Sequence, residues 1–398
     1  MAHLREALRS GHPPTLLAAF LYFDVSFMVW VLLGPLGSYI AEDLRLSPFQ
    51  KGLLVALPLL GGSLFRLVLG PLSDRYGGRR VGLGGMALSA LALILGWLWA
   101  GSLPQLLAVA LLLGVAGASF AVAIPLASRW YPAENQGLVL GIAAAGNSGT
   151  VLAALFAPRL AERIGWHGVL GVALVPLVAV FVLFALLARD SPRPASPVRL
   201  GEYVGLLQEP DALWFCLVYS LTFGGFVGLG SFLSLFFHDQ YGLSKVHSGD
   251  LTTLCVLAGS FVRPVGGYLA DRVGGLRMLR TLVGAFVLLT VGIALMPPVA
   301  VVTGLFLLLM ALLGMGNGCL FQLVPQRYPR RIGALTGLVG AAGGVGGFLL
   351  PSVMGGLRGV AGSFAPGFLL LSAASLWVYL RIAARWRRWT LAAESATA

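Results

Sequence analysis

The chain has 398 residues, 58% of them hydrophobic and only 11% charged, with a mean hydropathy of +0.89 and a formal net charge of +12. No water-soluble globular domain keeps that apolar fraction over such a length, so composition excludes a soluble enzyme or carrier. The positive charge does not mark a nucleic-acid binder, because the arginines are scattered through short loops rather than massed on one stretch.

Crossing the hydrocarbon takes about 20 apolar residues as a helix, whereas a β-barrel strand shows about ten of alternating character. Unbroken runs such as Leu103 to Ala127 therefore predict an all-α membrane protein. Met1 to His12 is short and basic and leads into a full-length span, which argues against a cleaved signal peptide. Cut at charged or Pro/Gly-rich loops, the chain gives twelve predicted spans: 15–40, 49–71, 81–100, 103–128, 135–158, 166–188, 212–238, 247–269, 279–296, 299–325, 332–357 and 364–384. The longest polar interval, Arg189 to Asp211, is rich in proline and charge and predicts a linker between two six-helix halves, residues 1–188 and 212–398.

Loop charges orient the bundle. One side carries Arg75, Arg79, Arg80, Arg129, Arg189, Arg193, Arg199, Arg272, Arg277, Arg280, Arg327, Arg330 and Arg331, together with both basic termini. The other side has only Arg45, Lys51, Arg159, Arg163, Lys245 and Arg358. Such asymmetry predicts that both termini are cytoplasmic. The segment Arg381 to Trp389, RIAARWRRW, is basic and amphipathic, and suits a membrane-surface anchor.

The halves repeat. LFRLVLGPLSDRYGGRR (Leu64 to Arg80) recurs as FVRPVGGYLADRVGGLR (Phe261 to Arg277), at the offset of 197 residues between Arg66 and Arg263. At the same offset Tyr131-Pro132 recurs as Tyr328-Pro329, and Gly146 and Gly149 recur as Gly343 and Gly346. Parallel halves with a site between them at mid-depth describe a transporter.

Arg66 and Arg263 each interrupt an apolar run. A charge at the bilayer centre costs about 2.5–3.5 kcal/mol on insertion scales, so each needs a compensating anion or a cavity. Of 15 acidic residues, only Asp24 falls well inside a span. One carboxylate cannot neutralise two guanidinium groups, which leaves an anionic cargo, or pairing with backbone carbonyls and snorkelling to a helix end. Arginine's planar fork suits a flat oxyanion. Asp24 reads as a proton carrier or as a structural partner of an arginine. Asn147, within AGNSG, is placed either to donate to an anion oxygen or to bridge helices; its repeat position is Gly344. Gly146, Gly149, Gly343 and Gly346 are expected to give close, sliding helix contacts. Tyr219 and Phe223 lie at i and i+4 on one helical face, as core packing or as a cavity wall. The charges of the repeated turn, Asp74, Arg75, Asp271 and Arg272, read as gating residues outside the cargo site. No GxxxxGK[ST] phosphate loop suggests ATP, and no Ser/His/Asp set suggests an enzyme. Cys216, Cys255 and Cys319 lie in apolar runs without metal spacing, and the five histidines sit in the N-terminal tail or at helix ends, so neither metal nor cofactor is expected.

The Asp-Arg-x-Gly-Gly turns resemble the cytoplasmic loop motif of the major facilitator superfamily, over the whole chain. The blocks GIAAAGNSGTVLAALFAP (Gly141 to Pro158) and GLVGAAGGVGGFLLP (Gly337 to Pro351), with NGCLFQLVPQRYP (Asn317 to Pro329), resemble the signature helices of the nitrate/nitrite porter family. That resemblance implies nitrate or nitrite as cargo in a monomer of the cytoplasmic membrane, held by Arg66 and Arg263. It also implies Tyr219 and Phe223 as a substrate-contacting pair, Phe120 as an opposite wall and, more weakly, Phe27. Coupling stays open between proton symport and nitrate/nitrite exchange. A phosphate or organophosphate antiporter and a non-transporting anion sensor are the competing expectations.

Overall fold

The computed structural model describes the backbone of residues 10–132, 139–140, 142–143, 145–192, 200–328 and 331–397, with side chains for these except 200, 322, 325, 326, 332 and 386–397. Gly141, Arg193, Arg199, Pro329 and Arg330 lie outside the described residues, as do the start of the basic N-terminal tail and the side chains at the end of the predicted surface anchor.

Four helices open the chain: α1 (Pro13–Asp43), α2 (Pro48–Tyr76), α3 (Gly78–Leu98) and α4 (Leu103–Ser128). Proline in the first turn of α1, α2 and α4 removes one of the donors that would lack a helical partner there, and Ser47 and Gln50 form a reciprocal cap on α2. Next comes one helix of 43 residues, Ala145–Leu187. At about 1.5 Å per residue it is about twice the hydrocarbon thickness, and Gly165, at φ 71° and ψ 165°, divides it into α5 (145–164) and α6 (166–187). The linker contains a short helix, α7 (Leu200–Leu207). The second half is α8 (Pro210–Tyr241), α9 (Lys245–Val273), α10 (Gly275–Ala294), α11 (Val299–Arg327), α12 (Ile332–Ala361) and α13 (Ala365–Thr397). Among the described residues eleven helices are long and apolar enough to cross a membrane; the kinked one crosses twice, which gives the twelve expected spans.

Several helices outrun their predicted bounds. Ser73, Asp74 and Arg75 stay helical, so α2 ends at Tyr76 rather than near 71, where Gly77 at φ 93° stops it. Polarity marks where a helix leaves the hydrocarbon, not where its backbone stops.

The duplication is written into the backbone. Left-handed φ angles pair at the repeat offset: Arg45 (51°) with Gly242 (66°), Gly77 (93°) with Gly274 (94°), and Gly165 (71°) with Gly362 (71°). Only Arg45 adopts this conformation without being glycine where its repeat partner is one.

Contacts between the first and last six spans are closest toward the face away from the termini. There a Cβ on Gly52 would stand 2.3 Å from the Pro351 carbonyl oxygen, and one on Gly34 would stand 2.5 Å from that of Ser231. Among the described residues, ion pairs join the two sides on this face: Lys51 with Asp239 at 3.1 Å, Arg159 with Asp250 at 2.6 Å, and Lys245 with Glu42, which His238 also approaches at 3.7 Å. On the terminal face the described ion pairs stay within one half: Asp74 with Arg129, Arg327 and Arg385 with Asp211, and Arg331 with Glu209. The bundle is closed away from its termini. On the terminal face Tyr203 of α7 packs against Gly337 of α12; burial, then the Asp74 and Glu202 charges, push its phenol up to about 12. Cys216, Cys255 and Cys319 are buried free thiols.

Candidate functional site

Arg66 lies on α2 and is only 3% exposed. Its Nε donates to the Gly117 carbonyl of α4 at 3.1 Å, and its Nη1 donates to the Gly340 carbonyl of α12 at 2.8 Å. Nη2 is buried and has no partner among the described residues. Three rings surround the guanidinium, with centroids 5.3 Å (Trp30), 5.8 Å (Phe120) and 5.2 Å (Phe223) from Cζ. Rings at this range stabilise a desolvated guanidinium by about 0.5–2 kcal/mol each, but accept no conventional hydrogen bond. Leaving a charged donor unpaired costs about 1–3 kcal/mol or more, so Nη2 creates a demand for an acceptor that the described residues do not meet.

Arg263, at the repeat position on α9, is partly exposed, and its Cζ is 6.0 Å from the Phe321 ring. Tyr219 lies in the field of both guanidinium groups. Neither arginine forms an ion pair with a described carboxylate. Carbonyl pairing, one of the two expectations, accounts for two of the three guanidinium nitrogens of Arg66.

Tyr219 and Phe223 on α8 stack, with centroids 5.0 Å apart and planes 2° from parallel. Gly343 makes that platform possible: a Cβ there would sit 2.7 Å from Tyr219 Cδ1 and 2.9 Å from Phe223 Cδ1. Phe321 meets Tyr219 edge-on at 5.1 Å and faces Phe120 at 6.5 Å. Arg66, Phe120, Tyr219, Phe223 and Arg263 therefore fall into one cluster of rings and cations.

Asn147 lies in a short 3-10 turn, Ala145–Ser148, that interrupts the first signature helix. Its Nδ2 donates to Ser260 Oγ of α9 at 3.3 Å, while Oδ1 is buried without a partner among the described residues. In the second half Gly344 lies against Ser63, with a Cβ there only 2.1 Å from Ser63 Oγ, and α12 runs unbroken. Gly146 and Gly149 bring the same turn against α1 at Phe23 and Asp24, and Gly346 brings α12 against Ser220 of α8.

Asp24 is not beside either arginine. Its Oδ1 accepts from Ser148 Oγ at 2.7 Å, where α5 resumes after the turn, and it forms no ion pair among the described residues. The gating set divides. Asp74 pairs with Arg129 within one half, whereas Asp271 is exposed and its repeat partner for such a bridge is Gln326. Arg75 and Arg272 cover the rings of Tyr76 and Tyr268, at 5.2 and 4.5 Å.

Trp30, Phe321, Ser260 and the carbonyls of Gly117 and Gly340 are parts of the site that sequence reasoning missed. Trp30 had a usable signal: tryptophan in membrane helices collects at the interfaces, yet this one is mid-helix. Phe27 touches Trp30 at 4.8 Å and so forms the layer behind the wall. Backbone acceptors leave no trace in a sequence.

Duplicated six-helix halves enclosing a polar centre define the class. A profile described as Major Facilitator Superfamily matches residues 16–351, so this is a major facilitator membrane transporter. In the solved structure of a bacterial homologue of the human lysosomal transporter Spinster, inward-facing and occupied, the fold superposes with a TM-score of 0.68 at 18% identity, over 93% of this chain and 94% of that one. Among curated relatives, the "Probable nitrate/nitrite transporter NarK2" of Mycobacterium tuberculosis is 36% identical over 373 residues, covering 92% of this chain and 94% of the relative. The "Nitrite extrusion protein" of Bacillus subtilis is 33% identical over 367 residues, covering 91% of each. The chain belongs to the nitrate/nitrite porter family of the major facilitator superfamily.

Proposed function

We propose that this protein carries nitrate, and nitrite through the same donors, into the cell across the cytoplasmic membrane by alternating access. One observation carries the proposal: a fully desolvated arginine whose Nη2 has no acceptor among the described residues, with a second arginine near it and no described carboxylate paired with either. A small flat anion held between Arg66 and Arg263 supplies that acceptor. Tyr219, Phe223 and Phe120 wall the anion, and Asn147 adds a neutral donor. Phosphate or organophosphate would call for further Lys or His in the cavity, and no span interior supplies either.

The halves 1–188 and 212–398 rock about the anion, joined by the 189–211 linker, with both termini in the cytoplasm. Asp74, Arg75, Asp271 and Arg272 hold the cytoplasmic side during the opposite phase of the cycle, and the protein works as a monomer. Uptake of an anion against an inside-negative potential is opposed by about 2.3 kcal/mol per 100 mV, which one proton cancels and two reverse. Asp24, free of any described arginine, is the group that takes the proton.

The test is flux of isotope-labelled nitrate into proteoliposomes, with Arg66→Lys and Arg263→Lys beside the parent. Loss of flux in both variants is expected, and undiminished flux in either removes the fork-binding role. Imposing a pH gradient and a nitrite gradient separately distinguishes symport from nitrate/nitrite exchange; stimulation by nitrite alone would overturn the proton assignment.

A further inference from the structure

Resting on the anion-carrier reading above, we propose that Ser260 is a positioning residue for the cargo: its hydroxyl holds the Asn147 amide in either of two orientations and so lets that amide present its N–H donors when an anion arrives.

The amide is half satisfied. Asn147 Nδ2 donates to Ser260 Oγ at 3.3 Å, Oδ1 is buried with no partner among the described residues, and the main-chain carbonyl of Asn147 is already occupied by Thr150 Oγ1 at 2.8 Å. In this arrangement the donor end is engaged with serine and the acceptor end faces nothing. A half-turn of the amide about its terminal torsion exchanges the ends. Oδ1 then faces a hydroxyl, which can donate as readily as it accepts, and Nδ2 is released as a donor. Serine suits both orientations; an alanine suits neither.

The position of Ser260 fits that role. It is partly exposed on α9 and lies three residues before Arg263, on the same helical face, so the amide it holds is tied to the helix that carries the second guanidinium. The repeat supplies a natural contrast. Ser63 lies three residues before Arg66, but it is buried, donates to the Leu59 carbonyl of its own helix at 3.2 Å and faces Gly344, which has no amide to hold. The duplication thus placed a serine before each arginine, and only the second faces a rotatable side chain.

Nitrate flux in proteoliposomes tests this through KM and Vmax of Ser260→Ala, Ser260→Thr, Ser63→Ala, Asn147→Ala and the Ser260→Ala/Asn147→Ala pair. Ser260→Ala is expected to raise KM about tenfold with Vmax within about twofold, the scale of one hydrogen bond. Ser260→Thr restores KM, Ser63→Ala leaves it at the parent value, and Ser260→Ala has no further effect once Asn147 is alanine. A Ser260→Ala protein with the KM of the parent, or one whose effect persists unchanged in the Asn147→Ala background, overturns the assignment while leaving the arginine site standing. A parent that carries no nitrate at all overturns the cargo, and this role with it.

Discussion

Arg66 Nη1 donates to the Gly340 carbonyl, 2.8 Å away on the opposite half of the molecule. Together with the Nε bond to Gly117, it fixes the plane of the guanidinium and leaves the third nitrogen buried without a partner among the described residues. A lysine at 66 has one nitrogen on a flexible stem and cannot meet two carbonyls in fixed directions while leaving a donor free. Arg66→Lys should reduce Vmax/KM for nitrate by about 100-fold, from two charge-assisted bonds at about 1.5–3 kcal/mol each offset by those lysine recovers. Initial-rate flux against nitrate concentration measures this; a tenfold or smaller loss would show that the fork geometry is dispensable.

How much of this was legible depends on what a residue does. The twelve spans, the duplication and both central arginines follow from hydropathy and an offset, because burying charge in oil is an anomaly visible in one dimension. The inequality of the halves is not visible in that way. Arg66 is sealed and Arg263 partly exposed, though their local sequences match, because Trp30, Phe120 and Phe223 close around the first, while the described ring contact of the second is Phe321. Asn147 was expected either to meet the anion or to bridge helices. It bridges to Ser260, a partner 113 residues away that no periodicity indicates.

Gly344 is required for the closed face. A Cβ there would lie 2.1 Å from Ser63 Oγ and 3.0 Å from the Leu59 carbonyl oxygen, so Gly344→Asn cannot close α12 onto α2. The variant should bind nitrate yet transport at under about one tenth of the parent rate, since a state forbidden by overlap is removed from the cycle. Cysteines placed on the face away from the termini should become continuously reactive to a membrane-impermeant maleimide; protection equal to the parent would contradict this.

The ion pairs on that face set how firmly it shuts. Each is partly exposed, so its worth is at most about 1 kcal/mol, about a fivefold change in a two-state ratio. Lys245→Met should open the face by up to that factor, and Lys51→Met combined with it should have a larger effect, as read by spin-label distances between α1 and α8. Raising the salt concentration should move the parent in the same direction.

Gly274→Ala isolates backbone strain. At φ 94° and ψ 122° nothing lies within 4 Å of the added methyl, so the expected loss of about 1–3 kcal/mol in thermal stability comes from dihedral angles alone. Gly77→Ala adds a clash 2.5 Å from Asp190 Oδ2 and should fall further. Equal melting temperatures for the two variants would argue against the clash.

Arg331 hydrogen-bonded to Glu209, with Tyr328 second, holds that carboxyl below the usual carboxylate range. A lowered acid contributes its tie above its ordinary pKa and loses it as pH falls through the lowered value. Hydrogen exchange in the first turn of α12 should therefore quicken in Arg331→Met at pH 7 and approach the parent as the pH falls through the lowered value. A difference that persists in acid would assign the protection to packing instead.

One signature helix is jointed at Ala145–Ser148 and the other is a single rod from Ile332 to Ala361. A rod tilts only as a whole, while a jointed helix can swing one arm and hold the other still. The rocking motion proposed above would therefore have a stiff lever and a compliant one, and a substrate arriving from outside would meet a different mechanical response from one arriving from within. Apparent affinities from the two sides need not agree, even though the chain began as two copies of one design.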